Sequence, residues 1–258
     1  MSKGGARPLH GWLVLDKPLG MSSAQAVGRV RRLTGAAKAG HGGTLDPLAT
    51  GVLPIALGDA TKTVAFAMAG RKTYRFTVRW GEARATDDAE GEVVGRSDVR
   101  PDRAAIEAVL PRFTGRVVQV PPRFSALKVA GRRAYALARA DSAVELAPRE
   151  VEIAALRLLD IPDPDHAEFL AEVGKGTYIR ALARDLAAAL GTCGHVAALR
   201  RTAVGRFAED RAIGLDKLEE IGHGPALFTH LLPIETALDD IPALALSEAE
   251  AVRLRQGQ

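Results

Sequence analysis

Residues 40–62 read GHGGTLDPLATGVLPIALGDATK, and within this stretch Asp46 is a carboxylate in unusual company. Over the first eighty residues only Asp16, Asp46 and Asp59 are acidic, against twelve Lys and Arg. Positive surroundings favour the charged form of a carboxylate, and Gly40, Gly42, Gly43 and Gly51 let a backbone lie close to a bulky ligand. A carboxylate so placed suits the work of a nucleophile or a base. Asp46-Pro47 is equally a turn in its own right, because Asp bonds its own backbone and Pro forces the preceding residue into an extended conformation. The stretch lacks the Gly-Lys-Ser/Thr ending of a phosphate loop, which argues against a nucleotide triphosphatase.

A second constellation follows Val173, where Gly174-Lys175-Gly176-Thr177 separates a strand pattern from a helical one. Strand, glycine loop and helix start form an anion-binding geometry, with free N–H groups beside Lys175 and Arg180. Arg180 in a first helical turn opposes the helix dipole and invites a carboxylate or phosphate partner. Tyr74, on a basic strand, is by type a core residue with its hydroxyl at the edge, and also what a base-stacking platform requires. His41 taken alone is a loop histidine. Cys193 is the single cysteine, so an internal disulfide is excluded, and with His195 it lacks the further ligands of a zinc site.

These groups need elements to carry them. The apolar run Trp12-Leu13-Val14-Leu15 predicts a strand, broken by a turn at 16–20. Ser22 and Gln25 form a capping box, after which Ala26, Val27, Val30 and Leu33 share one helical face. Residues 73–80 alternate cleanly, with Tyr74, Phe76, Val78 and Trp80 on one side. A short strand is expected at 93–94, a helix over 101–110, and strands at 117–120, 151–159 and 167–173. Ile179, Leu182, Leu186 and Leu190 recur at helical spacing before Gly191. Without a regular βαβ rhythm or an internal repeat, the pattern predicts an α+β fold with a mixed sheet.

The 258 residues suffice for one large domain. No apolar run reaches a membrane-spanning length, and the N-terminal MSKGGARPLHG lacks the apolar stretch of a secretory signal, so the chain is expected in the cytoplasm. Its net charge of +4 conceals blocks of alternating sign: +9 over 1–80, −2 over 81–120, +5 over 121–140, −6 over 141–170, +4 over 171–206 and −6 over 207–258. The positive blocks coincide with the motif-rich segments, and brought together they would make a cleft for a polyanion such as RNA or DNA. A DNA-binding regulator is disfavoured by the lack of a helix-turn-helix pattern.

Several motifs occur in a family's order: DKPLGMSS (16–23), GHGGTLDPLATGVLP (40–54), KTYRFTVRWG (72–81), QVPPRFSALKVAGRRAY (119–135), VGKGTYIRALARDL (173–186) and LRRTAVGRF (199–207). Over about residues 9–235 the chain resembles the tRNA pseudouridine synthase B (TruB-type) family. The resemblance implies a pseudouridine synthase fold, a largely antiparallel mixed sheet flanked by helices, with the active cleft between two halves. It implies isomerisation of uridine 55 in the T arm of tRNA, a redox-neutral reaction that needs no cofactor and no metal, by a protein expected to act as a monomer. A tRNA-folding or RNA-binding module with dispensable catalysis is the rival.

By the same resemblance Asp46 matches the catalytic aspartate that attacks the target nucleotide covalently, Tyr74 the tyrosine that stacks on the flipped uracil, and Arg180 the arginine that pairs with the aspartate. His41 matches the residue that fills the space of the extruded base, in the loop of Gly43, and Tyr178 and Leu199 match walls of the uracil pocket. Lys17, Lys62, Lys128 and Arg139 are candidate backbone contacts. The turn Arg84-Ala85-Thr86-Asp87-Asp88 departs from the family pattern, which puts its role in question. The expected organisation is a catalytic domain over 1–233 and a short segment over 234–258, with the RNA-binding PUA domain common in the family absent or cut short after its opening.

Overall fold

The computed structural model describes residues 9–124, 146–222, 224–239, 241–242 and 244–257, and the backbone alone at 128–129 and 132–133. Strand β1 (Gly11–Lys17) is buried along its length and turns into helix α1 (Ser23–Thr34). The capping box forms as the sequence predicts: Ser22 Oγ accepts from the Gln25 N–H, and Gln25 Oε1 accepts from the Ser22 N–H. Ala26 and Val30 face inward, and Gly35 closes the helix in the left-handed conformation at φ 66°.

Next come β2 (Ala39–His41), β3 (Ala49–Leu57), the short helix α2 (Val64–Ala69) and β4 (Lys72–Trp80). The hairpin of β5 (Glu82–Arg84) and β6 (Val93–Arg96) leads to α3 (Arg103–Val109) and β7 (Gly115–Gln119). A second hairpin joins β8 (Lys128–Val129) to β9 (Arg132–Arg133). The long β10 (Arg149–Asp163), β11 (His166–Val173), α4 (Ile179–Ala189) and β12 (Gly194–Val204) follow. The remainder holds β13 (Phe207–Ala208), β14 (Ile213–Gly214), α5 (Leu215–Ile221), β15 (Leu231–Leu232) and α6 (Glu248–Arg255). Among the described residues no helix is long and apolar enough to cross a membrane.

One sheet runs in the order β14-β1-β3-β12-β4-β11-β10-β7, with β2, β13 and β15 on its edges. Most neighbours are antiparallel, and β1–β14 and β12–β3 are parallel. This is the mixed, largely antiparallel α+β architecture that the sequence suggests. Two central strands depart from the sequence expectation. β3 is buried on both faces, so its residues do not alternate, and it contains Gly51 and Pro54, which read as breakers. Pro54 is tolerated because the gap along that edge is served otherwise: its carbonyl accepts from the Gly42 N–H at 2.8 Å, and Arg201 Nε donates to the Val52 carbonyl at 2.8 Å. β12 is concealed by Arg200 and Arg201, charged residues in a central strand.

Among the described residues three apolar clusters pack on the sheet, one of them joining Trp12, Val14, Val52 and Phe207. Phe76, Val78, Trp80 and Phe169 pack under α3 and α4, while Leu13, Leu15, Leu53 and Ile55 pack under α1 and α5. Tyr74 and Leu199 are half-buried and pack against these last two clusters. Register explains their meeting: on either side of the β4–β12 seam Leu199 lies opposite Phe76 and Arg201 opposite Tyr74.

Gly51 is where β3 accepts β12 on one side and β1 on the other. Its φ is 97°, and a Cβ there would meet the Arg201 carbonyl oxygen at 2.2 Å. Gly51→Ala is therefore expected to cost more than about 2 kcal/mol in urea unfolding. Gly115→Ala, at φ 91° with nothing within 4 Å of the added carbon, should cost only about 1 kcal/mol. Equal losses at the two positions would show that the seam is not the constraint.

Candidate active site

The loop bearing Asp46 leaves β2 at His41 and enters β3 at Ala49, and distant side chains fasten its backbone. Ser23 Oγ donates to the Leu45 carbonyl at 2.9 Å and accepts from the Leu45 N–H at 2.8 Å. Arg201, almost wholly buried, donates to the carbonyls of Gly43 at 2.9 Å and Thr44 at 3.2 Å. The Asp46 carbonyl accepts from the Ala49 N–H at 3.0 Å, the turn that Asp-Pro favours.

Arg180 rises from the first turn of α4. Its Nη2 lies 2.9 Å from Asp46 Oδ2, its side chain only 7% exposed against 40% for the aspartate. The guanidinium is held from behind: Nη1 donates to the Thr86 carbonyl at 3.0 Å and stands 3.5 Å from Asp88 Oδ2, and Nη2 donates to the Phe124 carbonyl at 2.9 Å. Asp88 is fixed in turn by Thr86 Oγ1 and the Glu90 N–H. One turn along α4, Arg184 pairs with Asp87 at 2.9 Å, where Asp87 adopts φ 60°. Burial pushes the Asp87 carboxyl up from its ordinary value, against the pull of Arg184. The turn whose role the family comparison put in question is thus the support of Arg180.

Asp46, Arg180, Tyr74, Tyr178, Leu199 and Gly43 line one open cavity of about 380 Å³. The sequence names all six. Gln119 pins Tyr178 by two bonds, Nε2 to its carbonyl at 3.1 Å and Oε1 from its N–H at 2.9 Å. The cavity also draws on residues that the sequence does not single out, Lys72, Arg149 and Arg201. Gln119, Asp88 and Arg201 escape a sequence reading because their partners Tyr178, Arg180 and Gly43 lie far along the chain, and Lys72 because it bonds only to nearby carbonyls, which carry no mark in a sequence. Cations from the blocks 1–80 and 171–206 do converge here. Most of the 121–140 block, Arg139 included, lies outside the described residues, and Lys128 is placed by its backbone alone in β8.

Lys17 requires a correction. It is fully buried, and its Nζ donates to the carbonyls of Met21 at 2.7 Å, Pro18 at 2.9 Å and Pro47 at 3.4 Å. It ties the turn after β1 to the Asp46 loop and presents no charge to a surface ligand. His41 does not line the cavity: its Nδ1 accepts from the Gly43 N–H at 3.3 Å, and burial together with Arg201 lowers its pKa, which favours the neutral ring. Lys62 is exposed, 2.8 Å from Asp59, and apart from the cavity lining. Among the described residues no group of three or more His, Cys, Asp and Glu gathers to hold a metal.

Residues 31–179 match the family model of the TruB family pseudouridylate synthase N-terminal domain, and residues 180–239 that of the tRNA pseudouridylate synthase B C-terminal domain. A curated relative named tRNA pseudouridine synthase B from Bradyrhizobium diazoefficiens is 61% identical, covering 98% of this chain and 74% of its own length. One of the same name from Rhodospirillum rubrum is 60% identical, covering 97% and 81%. Among solved structures, a Cbf5-Nop10-Gar1 complex aligns with TM-score 0.75 at 28% identity, and an archaeal box H/ACA Nop10-Cbf5 complex with 0.74 at 27%; each alignment covers 96% of this chain and 68% of the other.

Two buried lysines beside the loop titrate low. Burial lowers Lys72 from 10.5 to about 8, assisted by Arg201 and Lys175. Burial also lowers Lys17 to about 8, against the attraction of Asp46 and with the help of Arg201. Between about pH 8 and 10.5 the native chain therefore holds fewer protons at these groups than the unfolded chain, so their contribution to stability rises with pH across that window. The penalty is fully present below it. Lys72→Met should remove its share, so that from about pH 7.5 to about pH 9.5 the unfolding free energy of the variant gains less, or falls more, than that of the wild type. Identical pH slopes in urea titrations would refute this.

Proposed function

The chain belongs to the TruB family of pseudouridylate synthases, and from that premise we propose that it converts uridine 55 in the T arm of tRNA to pseudouridine, with Asp46 as the covalent catalyst. At the coarser level it is an isomerase acting on uridine in tRNA, the activity named for relatives about 60% identical over nearly its whole length. The observation that carries the finer reading is the Asp46 carboxylate, 2.9 Å from Arg180 and open to a cavity walled by Tyr74, Tyr178 and Leu199.

In this reading the target nucleotide turns out of its loop, because the atoms to be joined are otherwise inaccessible, at a cost of a few kcal/mol that stacking and phosphate contacts offset. Asp46 bonds to the nucleotide, the bond from N1 of the base to C1′ of the sugar breaks, the uracil turns, and C5 bonds to C1′; the C5 proton then leaves, N1 gains one, and the bond to Asp46 breaks so that the free carboxylate is restored. Reactant and product contain the same atoms, so the chemistry asks for no cofactor. Arg180 orients the attacking carboxylate through its fork, its other donors being held by Thr86 and Phe124. Tyr74 stacks on the uracil and, as the family resemblance implies, takes part in removing the proton. Tyr178 and Leu199 wall the pocket. The catalytic unit comprises residues 1–233, with 234–258 as a short C-terminal segment.

The test is pseudouridine formation in a T-arm stem-loop. Asp46→Asn is expected to abolish product by several orders of magnitude while hairpin binding stays within a few-fold. Product formation by the variant at close to the wild-type rate would overturn the assignment, and a tRNA-refolding effect independent of Asp46 would favour the module with dispensable catalysis. Arg180→Lys keeps the charge but not the fork, and should slow turnover by at least about tenfold. A smaller effect would mean that charge alone suffices.

A further inference from the structure

We propose that Arg149 and Lys175, at the rim of the cavity, hold one phosphodiester of the RNA strand adjoining the everted uridine, above a positive floor formed by Lys72 and Arg201. This deepens the reading given above and rests on it: the cavity is taken to receive a nucleotide.

Four cations line the cavity besides Arg180, and none has a carboxylate partner among the described residues. Arg201 spends its donors on the neutral carbonyls of Gly43, Thr44 and Val52. Lys72 gives two bonds to the carbonyls of Met68 and Gly70, both at 2.5 Å. Such bonds satisfy donors but leave the charge uncompensated. Arg149 is tied by its backbone to Gln119 in the sheet, but neither its side chain nor that of Lys175 forms a hydrogen bond or ion pair with any described residue. The nearby carboxylates are already committed: Glu152 to Arg71 at 2.7 Å, Glu150 to Arg116 at 3.4 Å, and Asp46 to Arg180.

Gathering like charges with no counter-ion is unfavourable unless a ligand supplies the anion. Burial is the main cause of the lowered pKa of Lys72, and the repulsion of Arg201 and Lys175 adds to it. Uracil and ribose are neutral, so the charge that a nucleotide brings is on its phosphates. The rim is also bare. Gly174 and Gly176 flank Lys175, Gly176 at φ 89°, and a Cβ on Gly176 would come within 4.0 Å of Arg149 Nη1. That is ordinary contact distance, so the glycine's part is its positive φ, and the fork of Arg149 lies open beside it to two phosphate oxygens.

The experiment uses the full chain and T-arm hairpins in which the linkage 5′ or 3′ of the target uridine is an uncharged methylphosphonate. Arg149→Gln is expected to raise KM for the unmodified hairpin about tenfold with kcat nearly unchanged, and to lower the salt slope of binding by about one. Lys175→Ala, in an exposed loop that bears no core packing, should lose about threefold in KM and shallow the slope likewise. One of the two methylphosphonates should weaken wild-type binding by about the factor that Arg149→Gln costs, and should weaken the Arg149→Gln protein no further. If both proteins respond equally to both neutral linkages, or if both variants bind as the wild type does, the phosphate site is wrong. Should Arg149→Gln lower the melting temperature, Lys175→Ala carries the same comparison alone. Wild-type protein that makes no pseudouridine in the unmodified hairpin would instead strike the functional reading itself.

Discussion

The ion pair between Asp46 and Arg180 is the interaction around which the molecule is arranged. Its two members differ in exposure, and that difference matters more than the distance. A guanidinium withdrawn from water must have its donors satisfied, and Arg180 has them satisfied by two carbonyls and by Asp88, leaving it little freedom to follow a moving partner. The aspartate, half open to the cavity, is the member that can meet a substrate. An arrangement in which both were exposed would be a surface ion pair of small consequence. One in which both were buried would leave nothing to react.

Holding that pair requires precision at both ends, and the fold obtains it by long-range ties rather than local propensity. The Asp46 loop is fastened by Ser23 from α1, Lys17 from β1 and Arg201 from β12, each directed at a backbone carbonyl. The Arg180 end depends on the turn of residues 86–88 and on Gln119, which fixes the residue where α4 begins. Tyr74 and Leu199 stand where the cluster under α3 and α4 meets the cluster under α1 and α5, so the walls of the pocket are positioned by packing on both sides. A buried lysine that donates three bonds to carbonyls acts much as a bound metal ion would in a loop of this kind, a fixed positive centre that gathers backbone oxygens.

What could be read from the residues follows from how local each signal is. Asp46 declares itself through its glycines and its isolation among cations, the capping box of α1 through two residues three apart, and the Tyr74 strand through strict alternation. Arg180 is legible because the glycine loop announces a helix start. β3 and β12 are not legible, since a strand covered on both faces loses its alternation and a charged pair conceals a central strand. Lys17 misleads for a related reason: lysine is almost never buried without partners, and its partners here are carbonyls, which carry no mark in a sequence. Asp88, Gln119 and Arg201 depend on neighbours far along the chain, so no window of sequence contains both halves of the interaction.

The strand order carries a consequence for the making of the molecule. β3 and β4 follow one another along the chain yet do not touch as neighbours, because β12 is inserted between them. On a ribosome, both strands emerge long before residues 194–204 are translated: β3 waits with the edge at 49–51 vacant, and β4 with both edges vacant until residues 166–173 supply one of them. That interval is the hazardous one for the newborn polypeptide, when intermolecular pairing competes with correct closure and a chaperone has most to offer. The last long strand to be synthesised is also the one that brings Leu199 and Arg201, so catalytic competence is withheld until the sheet is sealed.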